Sequence, residues 1–177
     1  NIEPIDLEKL RGRSCYGGLD LGSVRDLTAF ALYFPPIEEE KYGHVYCICF
    51  CTEETVLHKI AKENTQYGVW IDDGHIIATP GNATDYRYVT QKINQIAEIV
   101  NIESIAYDRK FAPQTVYDLQ DDGFEMSPFG QGIVSMSAPS KALEAMVIEK
   151  QLNHGGNPVL RWMISNVKLY IDRSSSA

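Results

Sequence analysis

Two aspartates stand where short apolar runs end: Asp20 near the close of Tyr16 to Leu21, and Asp108 at the close of Ser104 to Asp108. Carboxylates set side by side at strand ends are hard oxygen donors of the kind that hold Mg²⁺ or Mn²⁺. Two such ions roughly 3.5 to 4 Å apart, bridged by one carboxylate and flanked by others, activate water and stabilise the leaving oxygen of a phosphodiester. The plainer alternative is that Asp20 makes a turn and Asp108 pairs with Arg109 or Lys110. Asp26 lies just before the next apolar run, near Asp20 across a hairpin, and reads either as an outer metal ligand or as a turn-former. Asp72-Asp73-Gly74, Asp121-Asp122-Gly123 and Glu38 to Glu40 read as solvated loops, and His44, His58 and His75 lack the mutual spacing of a ligand set.

The chemistry depends on elements that bring the two acids together. Tyr16 to Leu21, Leu27 to Phe34 and His44 to Cys51 read as three strands with short connections, hence an antiparallel meander. Thr52 to Glu63 is helical in composition, and Thr79 to Asn82 is a loop. Tyr86, Val89, Ile93, Ile96 and Val100 recur at three and four residues, which predicts an amphipathic helix capped by Thr84 or Asp85. The strand Ser104 to Asp108 follows, then a helix over Ala112 to Gln120 and a short strand within Phe124 to Phe129. Pro139 to Leu152 predicts a helix with Leu143, Met146 and Val147 turned inward, stopping at Gly155-Gly156. Asn157 caps a second helix that starts at Pro158, with Leu160, Met163, Ile164 and Val167 as its buried stripe. Leu169 to Ile171 is a candidate last strand, and residues 1–13 look like a linker.

This β-β-β-α-β-α order is ribonuclease H-like. The expected fold is therefore α/β, with a mixed central sheet of three antiparallel strands then parallel strands, flanked by helices. In it the first strand lies beside the fourth in parallel, so Asp20 and Asp108 project from neighbouring strands about 4.8 Å apart.

Composition narrows the field further. The chain has 177 residues, with 16 Lys+Arg against 24 Asp+Glu and a formal charge of −8, enough length for one domain with its own core. Residues 1–125 hold eleven basic and twenty-one acidic side chains, against five and three in 126–177, so the negative charge gathers where the acids lie. Bulk attraction to nucleic acid is thereby excluded as the main binding force. The longest charge-free apolar stretch, Leu27 to Ile37, is broken by Pro35 and Pro36 and falls far short of the roughly 20 residues a membrane helix needs. Asn1 to Leu10 lacks the pattern of a secretory leader, and without an initiator Met the chain reads as processed or as a fragment of something longer. Cys47, Cys49 and Cys51 alternate on one strand face, poor geometry for disulfides, and they read with Cys15 as buried free thiols. Gly17, Gly18 and Gly22 do not spell a dinucleotide loop.

In four stretches the chain resembles the C-terminal nuclease domain of the large terminase subunit of tailed bacteriophages. They are GGLDLGSVRDLTAFALYFP (Gly17 to Pro35), AYDRK (Ala106 to Lys110), GQG (Gly130 to Gly132) and HGGNPVLRWMISNV (His154 to Val167). The resemblance implies an endonuclease that cuts concatemeric double-stranded DNA with Mg²⁺ or Mn²⁺, Asp20 and Asp108 being two of the metal ligands. It implies an ATPase motor domain, a small terminase subunit and a portal as partners, in the host bacterial cytoplasm. No Walker A pattern occurs, so this chain has no ATP site, and residues 1–13 become the end of an interdomain linker leading to a nuclease domain over 14–177. The family's third metal-binding acid lies on a last helix beyond the segment matching Asn166, about where this chain ends; Asp172 is a poor substitute. An incomplete metal site and weak activity are expected from this chain. Related readings on the same fold are a junction resolvase or ribonuclease H, and a non-catalytic docking module.

Arg25 in the first hairpin turn, Arg109 and Lys110 after the acidic strand, and Lys141 at a helix start are candidate phosphate contacts, or ordinary surface charge. In so acidic a domain these four support only weak binding. Fluorescence anisotropy with duplex DNA at physiological salt should give an affinity weaker than micromolar; sub-micromolar binding would contradict the charge argument.

Overall fold

The computed structural model describes residues 4–22, 26–38, 40–63, 66–109 and 113–168, without the side chains at 62, 63 and 113. Three strands open the fold: β1 (Ser14–Asp20), β2 (Thr28–Phe34) and β3 (Gly43–Thr52). In β2 the run TAFALYF sends Phe30, Leu32 and Phe34 into one core and packs Ala29 and Ala31 against another, the period-two consequence of pleating. The same alternation in β3 puts Ile48 and Phe50 on the first face and Cys47, Cys49 and Cys51 on the second. All four cysteines are buried and free, as expected. Burial pushes the Cys15 thiol up to about 12, with help from the Glu103 carboxylate, and the Cys51 thiol up to about 11, so neither is a nucleophile.

The chain continues through α1 (Glu53–Glu63), α2 (Tyr67–Asp72), β4 (Ile76–Thr79), α3 (Tyr86–Ala97) and β5 (Asn101–Asp108). It then forms α4 (Pro113–Asp121), β6 (Met126–Phe129), α5 (Ile133–Ile148), β7 (Leu152–Asn153) and α6 (Pro158–Ser165). The strand order is β4-β3-β2-β1-β5-β6, with β7 beside the start of β3. β1, β2 and β3 are antiparallel neighbours, while β5 joins β1 and β6 joins β5 in parallel, the mixed sheet expected from the element order. Helix α3 is capped by the Asp85 carboxylate, which accepts from the Arg87 N–H, and it buries Val89, Ile93 and Ile96 on the first face. Val116 and Leu119 of α4 complete that core.

The second face is covered unevenly. Val56 of α1, Tyr67 and Trp70 of α2, and Val159 and Trp162 of α6 roof β3 and β4, with the rings of Trp70 and Trp162 5.6 Å apart. Past β2 the face opens: Tyr16, Gly18 and Asp20 of β1 are exposed, Tyr16 to 52%. Residues 4–13 lie against the domain. Leu10 is buried in the core, the Gly12 N–H donates to the Ile99 carbonyl at 2.8 Å, and Arg13 makes a two-pronged ion pair with Glu40.

Several local expectations are corrected. β4 and α2 lie where the sequence assigned no element, and β4 owes its place to parallel pairing with β3 from Cys49 to Thr52. The helix expected from Pro139 starts six residues earlier, at Ile133, so Pro139 is interior and Lys141 lies mid-helix rather than at its start. Nothing in α5 is buried; Leu143 and Val147 are exposed and Met146 only half-buried. Periodicity reports which residues share a helix side and is silent on whether a partner covers it. In α6 the inward residues are Val159, Trp162 and Met163, while Ile164 and Val167 face solvent. The expected strand Leu169 to Ile171 lies outside the described residues.

Asn157, as expected, caps α6, its Oδ1 accepting from the Val159 and Leu160 N–H groups, and its Nδ2 also donates to the Cys47 carbonyl of β3 at 3.0 Å. One buried side chain thus joins α6 to the sheet, with two hydrogen bonds to the helix and one to β3. Asn157→Ala should lower the unfolding free energy by about 1–3 kcal/mol in urea denaturation; a change under about 0.5 kcal/mol, typical of surface substitutions, would show that the bridge is dispensable.

Candidate active site

Asp20 is the last residue of β1 and Asp108 the last of β5. The two strands begin in one register, Ser14 opposite Asn101 and Cys15 opposite Ile102, and then slip by one residue, so that Tyr16 faces Ser104 and Leu19 faces Tyr107. Glu103 is the extra residue, and its carboxylate accepts a short hydrogen bond from the Ser14 hydroxyl. Without the slip Asp20 would stand opposite Tyr107, and Asp108 would point through the sheet to the other face. With it, both carboxylates stand on the open second face, in the row that continues through Ala29 of β2 and Phe129 of β6. The small residues Ala31, Gly18, Ala106 and Ser127 form the next row and leave the acids uncrowded.

Asp26 completes the group electrostatically. Its Oδ1 accepts from the Leu27 N–H at 2.9 Å, a turn-forming bond, yet its charge is felt at Asp20. Partial desolvation, then the Asp108 and Asp26 carboxylates, raise the Asp20 pKa above its ordinary value. Arg109 follows directly, exposed, with its guanidinium beside Gly130 at the end of β6; a Cβ on that glycine would lie 3.9 Å from Nη2. Lys141 is exposed on α5, and Arg25 and Lys110 lie outside the described residues. A separate acidic groove, bounded by Glu98, Glu103 and Asp122, lies at the start of β5, roughly 20 Å from its end by strand geometry, and plays no part in this site.

Among the described residues no three His, Cys, Asp or Glu side chains form a ready-made cage. Two adjacent carboxylates with mutual repulsion, open to solvent, nevertheless suit Mg²⁺ or Mn²⁺, since Mg²⁺ keeps several waters and takes one or two carboxylates plus substrate phosphates.

The family model of the terminase large subunit endonuclease domain matches residues 2–176. The chain belongs to that family. It is 28% identical over 166 residues to the terminase large subunit of Enterobacteria phage HK97, covering 93% of this chain and 32% of the relative. It is 25% identical over 169 residues to Protein YmfN of Escherichia coli K12, covering 92% of this chain and 37% of that protein. The crystal structure of the HK97 bacteriophage large terminase superposes with a TM-score of 0.77 at 28% identity, over 89% of this chain and 32% of that one. The chain thus spans about a third of the length of these relatives, and the fold is the ribonuclease H-like fold of terminase nuclease domains. No helix among the described residues is long and apolar enough to cross a membrane.

Within this family member, partial burial of the Asp20 carboxylate and then its neighbours' charges should weaken the fold at neutral pH. Because the Asp20 pKa is raised on folding, its contribution to stability is full below the unfolded value and is lost as pH rises through the folded one. Asp20→Asn should therefore be more stable than the parent at pH 7, by at most about 1 kcal/mol, and melt higher, since solvent screens an exposed group. That advantage should vanish below the ordinary carboxylate range; thermal melts at several pH values with chelator present would show an unchanged or lowered melting point if the repulsion is unimportant.

Proposed function

We propose that this domain is a metal-dependent endonuclease that hydrolyses phosphodiesters in double-stranded DNA, as the cutting part of a viral packaging terminase. The observation that carries the reading is the register of β1 against β5, which stands Asp20 beside Asp108 on the open face of the sheet. Asp20 and Asp108 hold Mg²⁺ or Mn²⁺, two ions in the full reading, and Asp26 adds negative charge from the turn. Bound there, the ions supply charge neutralisation and an activated water for in-line attack. The protein's own part is orientation: the two strands fix both carboxylates, the small-residue row leaves the face accessible to a duplex backbone, and Arg109 offers a phosphate contact.

DNA is the substrate in this reading, and the motor domain, small subunit and portal supply the positioning that so acidic a domain lacks. Within the same reading, a third acid comes from a helix beyond the segment matching Asn166.

Supercoiled-plasmid cleavage with Mg²⁺ and with Mn²⁺ tests the proposal, comparing this chain and a version extended through the family's last helix. Nicking and linearisation should be weak in the first and strong in the second. Asp20→Asn or Asp108→Asn should each lower the extended protein's rate by about 10²-fold or more, some 3 kcal/mol of transition-state stabilisation. A folded, extended protein inactive with either ion points instead to a docking module. Preference for branched DNA or an RNA–DNA hybrid over linear duplex points to a resolvase or ribonuclease H activity.

A further inference from the structure

The turn between β1 and β2 carries Asp26 and begins two residues after Asp20, so whatever holds this turn also sets two of the three carboxylates. Gly22 sits at its base. The Gly22 N–H donates to the hydroxyl of Thr28 at 3.0 Å, and the Gly22 carbonyl accepts from the hydroxyl of Tyr86 at 3.1 Å. Both backbone polar groups of one residue are therefore taken by side chains from two other elements, the first residue of β2 and the first residue of α3. Thr28 is fully buried, and Tyr86 packs against the core. The approach is close enough to demand glycine, because a Cβ there would lie 2.5 Å from the Leu27 carbonyl oxygen.

The acids supply the reason for such a clamp. Asp20, Asp108 and Asp26 repel one another before a cation arrives, and a shift of the backbone just after β1 or just before β2 would relieve that repulsion. Hydrogen bonds at the base of the turn oppose the relaxation without touching the reacting atoms.

We propose that Thr28 and Tyr86 are positioning residues of the acidic site, gripping Gly22 so that Asp20 and Asp26 stay in register with Asp108 for metal binding. This rests on the reading of Asp20 and Asp108 as metal ligands. The side chains act through the backbone, so the effect appears in metal affinity rather than in the chemistry of a proton or a bond.

The test is Mn²⁺ binding, followed by electron paramagnetic resonance of the free ion, beside melting temperatures of the same proteins. The parent should bind Mn²⁺, and Asp20→Asn should abolish that binding. Tyr86→Phe and Thr28→Val, which keep the packing and remove one hydrogen bond each, should raise the dissociation constant about 10-fold, as loss of an orienting partner does at metal sites. Thr28→Ser should bind like the parent although it loses a buried methyl and melts lower. Affinity that merely follows melting temperature across the series, or Tyr86→Phe and Thr28→Val binding like the parent while Asp20→Asn does not, overturns the clamp and leaves the metal site standing. Binding indifferent to Asp20→Asn overturns the metal site and the clamp together.

Discussion

The one-residue slip between β1 and β5 is the constraint on which the site depends. A strand presents alternate residues to opposite faces, so a single extra residue decides whether two strand-end acids meet or are separated by the sheet. Here the extra residue is Glu103, held by Ser14 at the far end of the same strand pair. The bulge is several residues from either acid, yet it determines that both carboxylates share one face. Gly17 belongs to the same arrangement, because a Cβ on it would meet Ile105 at 3.0 Å and Phe30 at 3.3 Å, holding the two strands apart.

The sheet treats its faces differently, and this asymmetry serves the chemistry. The first face is filled by Phe30, Phe34, Phe50, Val89, Ile93 and Ile105, each fully buried and each worth roughly 1.5–3 kcal/mol of hydrophobic stabilisation. That core carries the cost of a second face left open over β1, where Tyr16, Gly18 and Asp20 meet solvent. In the proposed reading a duplex is the substrate, and its bulk calls for an unroofed row of acids rather than a deep pocket. The charge repulsion stored among Asp20, Asp26 and Asp108 is the local expense, borne by a strand pair anchored from behind.

The motif that carried most of the resemblance turns out to be architectural. In HGGNP, Asn157 fastens α6 to β3, and Gly155, with φ of 63°, presses so closely on the N-terminal segment that a Cβ would lie 2.8 Å from the Ile5 nitrogen. None of these residues approaches the acids in sequence or in sheet register. At Gly155 this packing leaves no room for a side chain.

The sequence by itself determined the succession of β1, β2 and β3, then α3, β5 and α4, a cap for α3 at Thr84 or Asp85, the shared face of Cys47, Cys49 and Cys51, and the two acids at strand ends. These are local or periodic properties, readable from neighbours within a few residues. It was silent on β4, whose four residues gain their hydrogen bonds from β3, and it misplaced the start and the burial of α5, whose apolar residues predicted a partner that the described residues do not provide. It also passed over Thr28 and Tyr86, which look like an ordinary strand-former and an ordinary helix-stripe aromatic until their hydroxyls are seen to converge on Gly22. Only the tertiary structure decided the β1–β5 slip, because a register is a property of two strands together and is set by packing and by the Ser14–Glu103 contact, not by either strand's own alternation.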